Sequence, residues 1–196
     1  MNWSVMVNRW SAVSRRYAVW EGDLDQESIN RLGAAKGPFA RGTRRMDMTW
    51  VTGRIAVGGG IWNQENMAAV ARAGVTHIID MQIEFDDTPL AEPHGIEVLW
   101  SAVDDDFQPK PPEVFHRGVE FALAALDQPE TKLYVHCAAG VHRAPMMTLA
   151  ILCALSWNLS AAMQLIEARR PVVDFADVYV QSVVKFLQDY VAAQNR

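Results

Sequence analysis

Beyond residue 50 the chain alternates two kinds of apolar pattern. Short runs rich in β-branched residues read as buried strands: residues 55–57 (IAV), 75–80 (VTHIID), 96–100 (IEVLW) and 133–136 (LYVH). Between them, apolar residues recur at helical spacing. Asn63 can cap a helix running through Ala73, with Gly74 placed to end it. Phe115, Val119, Ala122 and Leu126 share one helical face, after a loop carrying Pro109, Pro111 and Pro112. Residues 146–155 (MMTLAILCAL) are apolar but for Thr148. That run is too short for a bilayer, which takes ~20 apolar residues, and reads as a helix buried on all sides. Ser160 is placed to cap a helix through Arg169, and Val180, Val184, Leu187 and Val191 mark a last one. Strand and helix in alternation imply an α/β fold, a central and mostly parallel sheet flanked by helices.

Residues 1–45 break this rhythm. Trp3, Val7, Trp10, Val13, Tyr17 and Trp20 line up on one helical stripe, and residues 33–45 (GAAKGPFARGTRR) read as a linker. The organisation predicted is a partly helical extension over 1–45 and one domain over 46–196. Tryptophans on a stripe suit packing against the domain or a second subunit. Residues 3–20 could instead lie in a membrane interface, where Trp and Arg are both at home. The narrowness of the apolar face favours packing.

Charge and composition remove several classes. The formal net charge is −5, which argues against a general nucleic-acid binder. Half of the residues are apolar, so the chain can bury a core. Two cysteines, Cys137 and Cys153, are too few for a disulfide scaffold and fit a reducing compartment. With no targeting segment visible, a cytoplasmic location is expected. Nothing in the sequence calls for a cofactor or a metal.

The stretch that carries chemistry runs from His136 to Pro145 (HCAAGVHRAP), between a buried strand and a helix. A loop in that position turns its backbone N–H groups and the helix N-terminus toward one spot, which attracts anions. Gly140 permits a turn that a Cβ would forbid, and Pro145 suits a first helical turn. Cys137 sits in that electropositive cup, where the field favours a thiolate. Arg143 can return as a planar fork matching two phosphate oxygens. A nucleophile and a two-pronged clamp on one phosphate-sized nest point to phosphoryl transfer through a phosphocysteine. A buried, inert cysteine is the bland alternative, and His, Gly and Arg at these offsets argue against it.

The pattern His136-Cys137-x-x-Gly140-x-x-Arg143 resembles the cysteine-dependent protein tyrosine phosphatase superfamily. Its late position in a short chain, after an upstream aspartate, resembles the dual-specificity phosphatases over roughly residues 48–192. The resemblance implies a phosphomonoester hydrolase with Cys137 as nucleophile and Arg143 as phosphate clamp. His136, Ala138, Ala139, Gly140, Val141 and His142 complete the phosphate-binding loop, and no cofactor is used. Asp104, within Trp100-Ser101-Ala102-Val103-Asp104-Asp105-Asp106-Phe107, occupies the position of the family's general acid. Asp105 and Asp106 stand beside it, so a shift of register remains open. The segment Trp157-Asn158-Leu159 with Arg169-Arg170-Pro171-Val172-Val173 is similar to laforin-like phosphatases. Ala139 and Arg143-Ala144-Pro145 are similar to plant glucan phosphatases. One departure matters: most relatives carry Ser or Thr after the arginine, where the hydroxyl helps expel the thiolate, and this chain has Ala144.

Substrate choice is less sharply written. None of Ala138, Ala139, Val141 and His142 is Lys or Arg, which disfavours polyphosphorylated lipid headgroups. Phosphotyrosine, phosphoserine or phosphothreonine in a protein is the expected substrate, with a phosphorylated glucan as the alternative. A phospholipid phosphatase, or a pseudophosphatase that only binds phosphorylated partners, fits less well. Trp62, Trp100, Phe107, Phe175 and Tyr179 are candidates for the mouth of the site. His142 either tunes the pocket or points outward. Cys153 is expected in the core, with a disulfide to Cys137 the sharper alternative.

Overall fold

The computed structural model describes residues 46–194. The aromatic stripe of residues 3–20 and the 1–45 extension lie outside them. Strands β1 (Met48–Trp50), β2 (Ile55–Gly58), β3 (His77–Asp80), β4 (Glu97–Trp100) and β5 (Leu133–His136) form one sheet in the order β1-β2-β5-β3-β4. β1 joins β2 antiparallel, and the other pairings are parallel. The helices are α1 (Gln64–Arg72), a short α2 (Thr88–Ala91), α3 (Pro112–Leu126), α4 (Arg143–Ala154), α5 (Leu159–Arg169) and α6 (Asp177–Gln194).

Alternation along the strands decides which core each residue joins. Ile55, Val57, Ile79, Leu133 and Val135 face a large core shared with α3, α4, α5 and α6. Ala56, Ile78 and Tyr134 face a smaller one with Met67 and Val70 of α1. α4 is the central post: every residue from Arg143 to Cys153 is buried. That explains why its sequence is apolar on all sides instead of amphipathic.

β5, the last strand in the chain, lies between β2 and β3, and this places the candidate site. In register, Gly58 pairs with His136 and His136 with Asp80. Three parallel strands thus end at one level, and the loops leaving their carboxyl ends share a crevice, as open α/β sheets provide.

Most expected elements are present, with two differences. Asn63 caps α1 through a bond from the Asn66 N–H at 2.9 Å, and Gly74 follows with φ +84°. For α5, however, the cap is Asn158, whose side chain accepts from the N–H groups of Ser160 at 2.9 Å and Ala161 at 3.4 Å. Ser160 lies inside the first turn. In α6 the buried face is Tyr179, Ser182, Val183 and Phe186, while Val180, Val184 and Leu187 are half-buried flanks. Aromatic bulk chose that face: Phe186 stacks on Phe115 with ring centroids 5.5 Å apart. No described helix is long and apolar enough to cross a membrane.

The cap assignment is directly testable. Asn158→Ala should cost roughly 1 kcal/mol in urea denaturation, the usual loss for an N-cap. Ser160→Ala should change stability little.

Candidate active site

The loop from Cys137 to His142 leaves β5 and enters α4 at Arg143. Cys137 is buried, and the Gly140 N–H donates to its Sγ at 3.3 Å. Gly140 has φ +64°, and a Cβ there would come within 2.4 Å of the Gly58 carbonyl carbon and oxygen. Both backbone conformation and space therefore demand glycine.

The loop is held open by an arginine from a distant helix end. Arg170 donates from Nε to Gly140 O at 2.8 Å and from Nη2 to Ala139 O at 3.0 Å. Its fork is itself gripped by Asp47 through two contacts of 2.7 Å. With these carbonyls drawn outward, the Gly140 N–H faces Cys137. Burial works against the Arg170 charge, but the Asp47 bonds outweigh it and raise its pKa.

Arg143 is organised in the same way. Nη1 and Nη2 meet the two Glu84 oxygens at 3.0 and 2.9 Å, and Nη1 also donates to Val103 O at 2.9 Å. Its Nε has no hydrogen-bond partner although it is buried. A guanidinium carries five N–H donors, so the Nε edge and one proton of Nη2 remain for a ligand. That edge has the spacing of two phosphate oxygens. The Arg143 hydrogen bonds in turn hold the Glu84 carboxyl below the usual range, against a smaller effect of burial.

The three adjacent aspartates have separate surroundings. Asp104 is exposed and has no partner among the described residues. Asp105 accepts from the Tyr179 hydroxyl at 2.9 Å, lies 3.1 Å from His142 Nδ1, and stands 3.7 Å from Arg143 Nε. Asp106 pairs with Lys110. His142 is neither free nor aimed outward, because its other ring nitrogen meets Asp174 at 3.3 Å. Tyr179 also accepts the Phe107 N–H at 3.0 Å, and Phe107 has φ +54°. Burial pushes the Tyr179 hydroxyl up to about 12, so it stays a donor. The loop carrying Asp104, Asp105 and Asp106 is thereby tied to both α6 and the cysteine loop.

Trp62, Trp100 and Phe107 are 53%, 42% and 51% exposed, so three of the five proposed mouth residues are available. Phe175 is half-buried against the core and Tyr179 is fully buried. Trp62 crowds Gly60, whose N–H donates to Ala138 O at 3.0 Å, and Trp100 Nε1 donates to Gln82 O at 2.7 Å. The Phe107 ring lies 5.0 Å from that of His142. Cys153 is buried with its thiol free, and desolvation pushes that thiol up to about 12.

Sequence reasoning missed Glu84, Asp47 and the role of Arg170. Arg170 was visible only as part of a likeness. Glu84 lies among other acids (Asp86, Asp87) with no periodicity to single it out.

Comparison with known proteins bears on the family and the fold. The family description "Dual specificity phosphatase, catalytic domain" matches residues 61–189. Among solved structures, PTPMT1 in complex with PI(5)P superposes with a TM-score of 0.68 at 20% identity, covering 76% of this chain and 99% of that one. Tk-PTP in its active form gives 0.60 at 18% identity, covering 73% and 95%. Human DUSP28 gives 0.60 at 20% identity, covering 74% and 95%. No curated protein matches the chain in sequence.

If Glu84 holds the Arg143 fork in position, Glu84→Gln should weaken binding of inorganic phosphate several-fold, since bonds to charged groups are the stronger ones. Competition assays measure it. Tighter binding in the variant would mean that Glu84 competes with phosphate.

Proposed function

The chain belongs to the dual specificity phosphatase family, cysteine-dependent phosphomonoester hydrolases of the protein tyrosine phosphatase superfamily, and we propose that Cys137, Arg143 and Asp104 carry its reaction. The observation that carries this reading is the cup itself: an N–H aimed at the Cys137 sulfur at 3.3 Å beside a buried guanidinium whose Nε makes no hydrogen bond.

In the first step the Cys137 thiolate attacks phosphorus and the ester P–O bond breaks. The Nε edge of Arg143 and the loop N–H groups hold the equatorial oxygens, where charge is spread in the transition state. Asp104 gives its proton to the leaving oxygen. In the second step water attacks the phosphocysteine, Asp104 takes the proton from that water, and phosphate and thiolate separate. Asp105 is the poorer acid on this reading. Its oxygens are already committed to Tyr179 and His142, and it serves to fasten the loop. Asp104 is unencumbered.

The substrate proposed is a single phosphate on a protein side chain, phosphotyrosine among them. Neither Lys nor Arg stands at 138, 139, 141 or 142 to hold a second phosphate. The exposed faces of Trp62, Trp100 and Phe107 offer flat apolar surface for a ring. The same faces suit sugar rings, which keeps a phosphorylated glucan as the second reading. Turnover compared on phosphotyrosine peptide, phosphoserine peptide, phosphorylated amylopectin and a phosphoinositide tests the choice. Preference for amylopectin or the phosphoinositide would overturn the protein reading.

Cys137→Ser should retain phosphate-analogue binding and lose turnover, because a hydroxyl is not ionised at neutral pH. Measurable turnover in a clean preparation would sink the nucleophile assignment. General acids contribute ~10²–10⁴-fold, so Asp104→Asn should slow poor leaving groups far more than nitrophenolate. If Asp105→Asn behaves that way instead, the acid is one residue later.

Ala144 is fully buried and offers no hydroxyl to the departing thiolate. One hydrogen bond to a charged group is worth ~1.5–3 kcal/mol, roughly ten- to a hundred-fold in rate. Rapid mixing with nitrophenyl phosphate should therefore show a product burst before slower turnover, and Ala144→Ser should shrink it and raise kcat. Absence of a burst, with kcat unmoved by Ala144→Ser, would mean that another group supplies the hydrogen bond.

A further inference from the structure

Behind the nucleophile, three titratable side chains converge out of reach of solvent. Asp80 ends β3, His136 ends β5, and Asp87 closes the loop that follows β3. All three are fully buried. His136 Nε2 lies 2.8 Å from an Asp87 oxygen and 3.8 Å from an Asp80 oxygen. One donor atom from each residue lies within 4.8 Å of the other two. The proposed reaction uses none of these side chains.

Hydrogen bonding within the cluster is incomplete. Two carboxyl groups face one imidazole. Asp80 accepts backbone N–H bonds from Gln82 at 2.8 Å and Asp87 at 3.3 Å. The two Asp87 oxygens and both ring nitrogens of His136 have no hydrogen bond of acceptable geometry, short as the His136–Asp87 separation is. Buried polar groups are nearly always satisfied, so each orphan calls for a partner. A cation among the three would accept a lone pair from each at once.

We propose that Asp80, Asp87 and His136 form a binding site for a divalent transition-metal ion. One imidazole nitrogen with carboxylate oxygens suits zinc or manganese, whereas magnesium and calcium take all-oxygen sets. Metal–ligand bonds of ~2.0–2.2 Å hold neighbouring ligand atoms about 3–4 Å apart. His136 already keeps that spacing from Asp80, and reaches it from Asp87 by a small opening. The ion is structural. Asp80 and Asp87 bracket the loop that carries Glu84, and Glu84 grips Arg143. Fixing both ends of that loop fixes the clamp, a consequence that rests on the phosphatase reading. Metal occupancy itself does not.

The test uses the full chain, stripped with chelator and dialysed, and needs no substrate. Zn²⁺ and Mn²⁺ are titrated separately, bound metal is counted by elemental analysis, and melting is followed. Binding of about one ion per chain, with a raised Tm, is expected, since a ligand of the folded state stabilises it. Asp87→Asn, close in shape, should lose both effects. Co²⁺ added to the unmutated chain should give visible d–d absorption, a readout that does not depend on any variant folding. No bound metal with Tm unmoved by either ion would overturn the proposal. So would undiminished binding in a folded Asp87→Asn protein, which would put the ion elsewhere.

Discussion

The site depends on which way two carbonyls point. A loop can present N–H groups to an anion only if its carbonyls are satisfied elsewhere, and here Arg170 satisfies those of Ala139 and Gly140 from outside the cup. Asp47, just before β1, holds the guanidinium in place. Residues 123 positions apart in sequence therefore share one ion pair whose effect is local to the cysteine loop. Gly140 completes the arrangement, because the turn runs against the Gly58 backbone with no room for a side chain. The polarity of the cup is thus set by backbone direction, and no lysine is required to create it.

Arg143 repeats the logic. Glu84 and the Val103 carbonyl occupy one side of its guanidinium, so its free edge is oriented before any substrate arrives. Preorganised donors of this kind cost no rearrangement at the moment of reaction. Tyr179, Asp105 and His142 then tie the aspartate-bearing loop to α6 and to the cysteine loop, which leaves Asp104 untethered at its edge. On the proposed reading a rigid clamp and a free acid are complementary needs: the phosphate would be held still while the proton donor meets leaving groups of different shape.

Much of this was legible in the sequence because the signals were local. β5 and the buried α4 could be read from a β-branched run and an uninterrupted apolar stretch, and the cysteine loop from its own spacing. The cap of α5 was misplaced by two residues because Asn158 and Ser160 are both good caps and only backbone geometry separates them. The buried face of α6 was offset because counting valines overlooked Tyr179 and Phe186, which carry more bulk. Glu84, Asp47 and the Asp80–Asp87–His136 cluster were not legible at all. Each depends on the pairing of β1, β2, β5 and β3, which brings together residues with no fixed separation along the chain.

The central claim is that phosphate passes through a covalent bond to Cys137. Acid quenching of the unmutated protein during turnover of a good leaving-group substrate, followed by peptide mass spectrometry, tests it most directly. The account predicts the added mass of one phosphoryl group on the Cys137 peptide, formed and lost at rates consistent with turnover. Full turnover with no such adduct, or with phosphate found on a histidine or aspartate peptide, would contradict it.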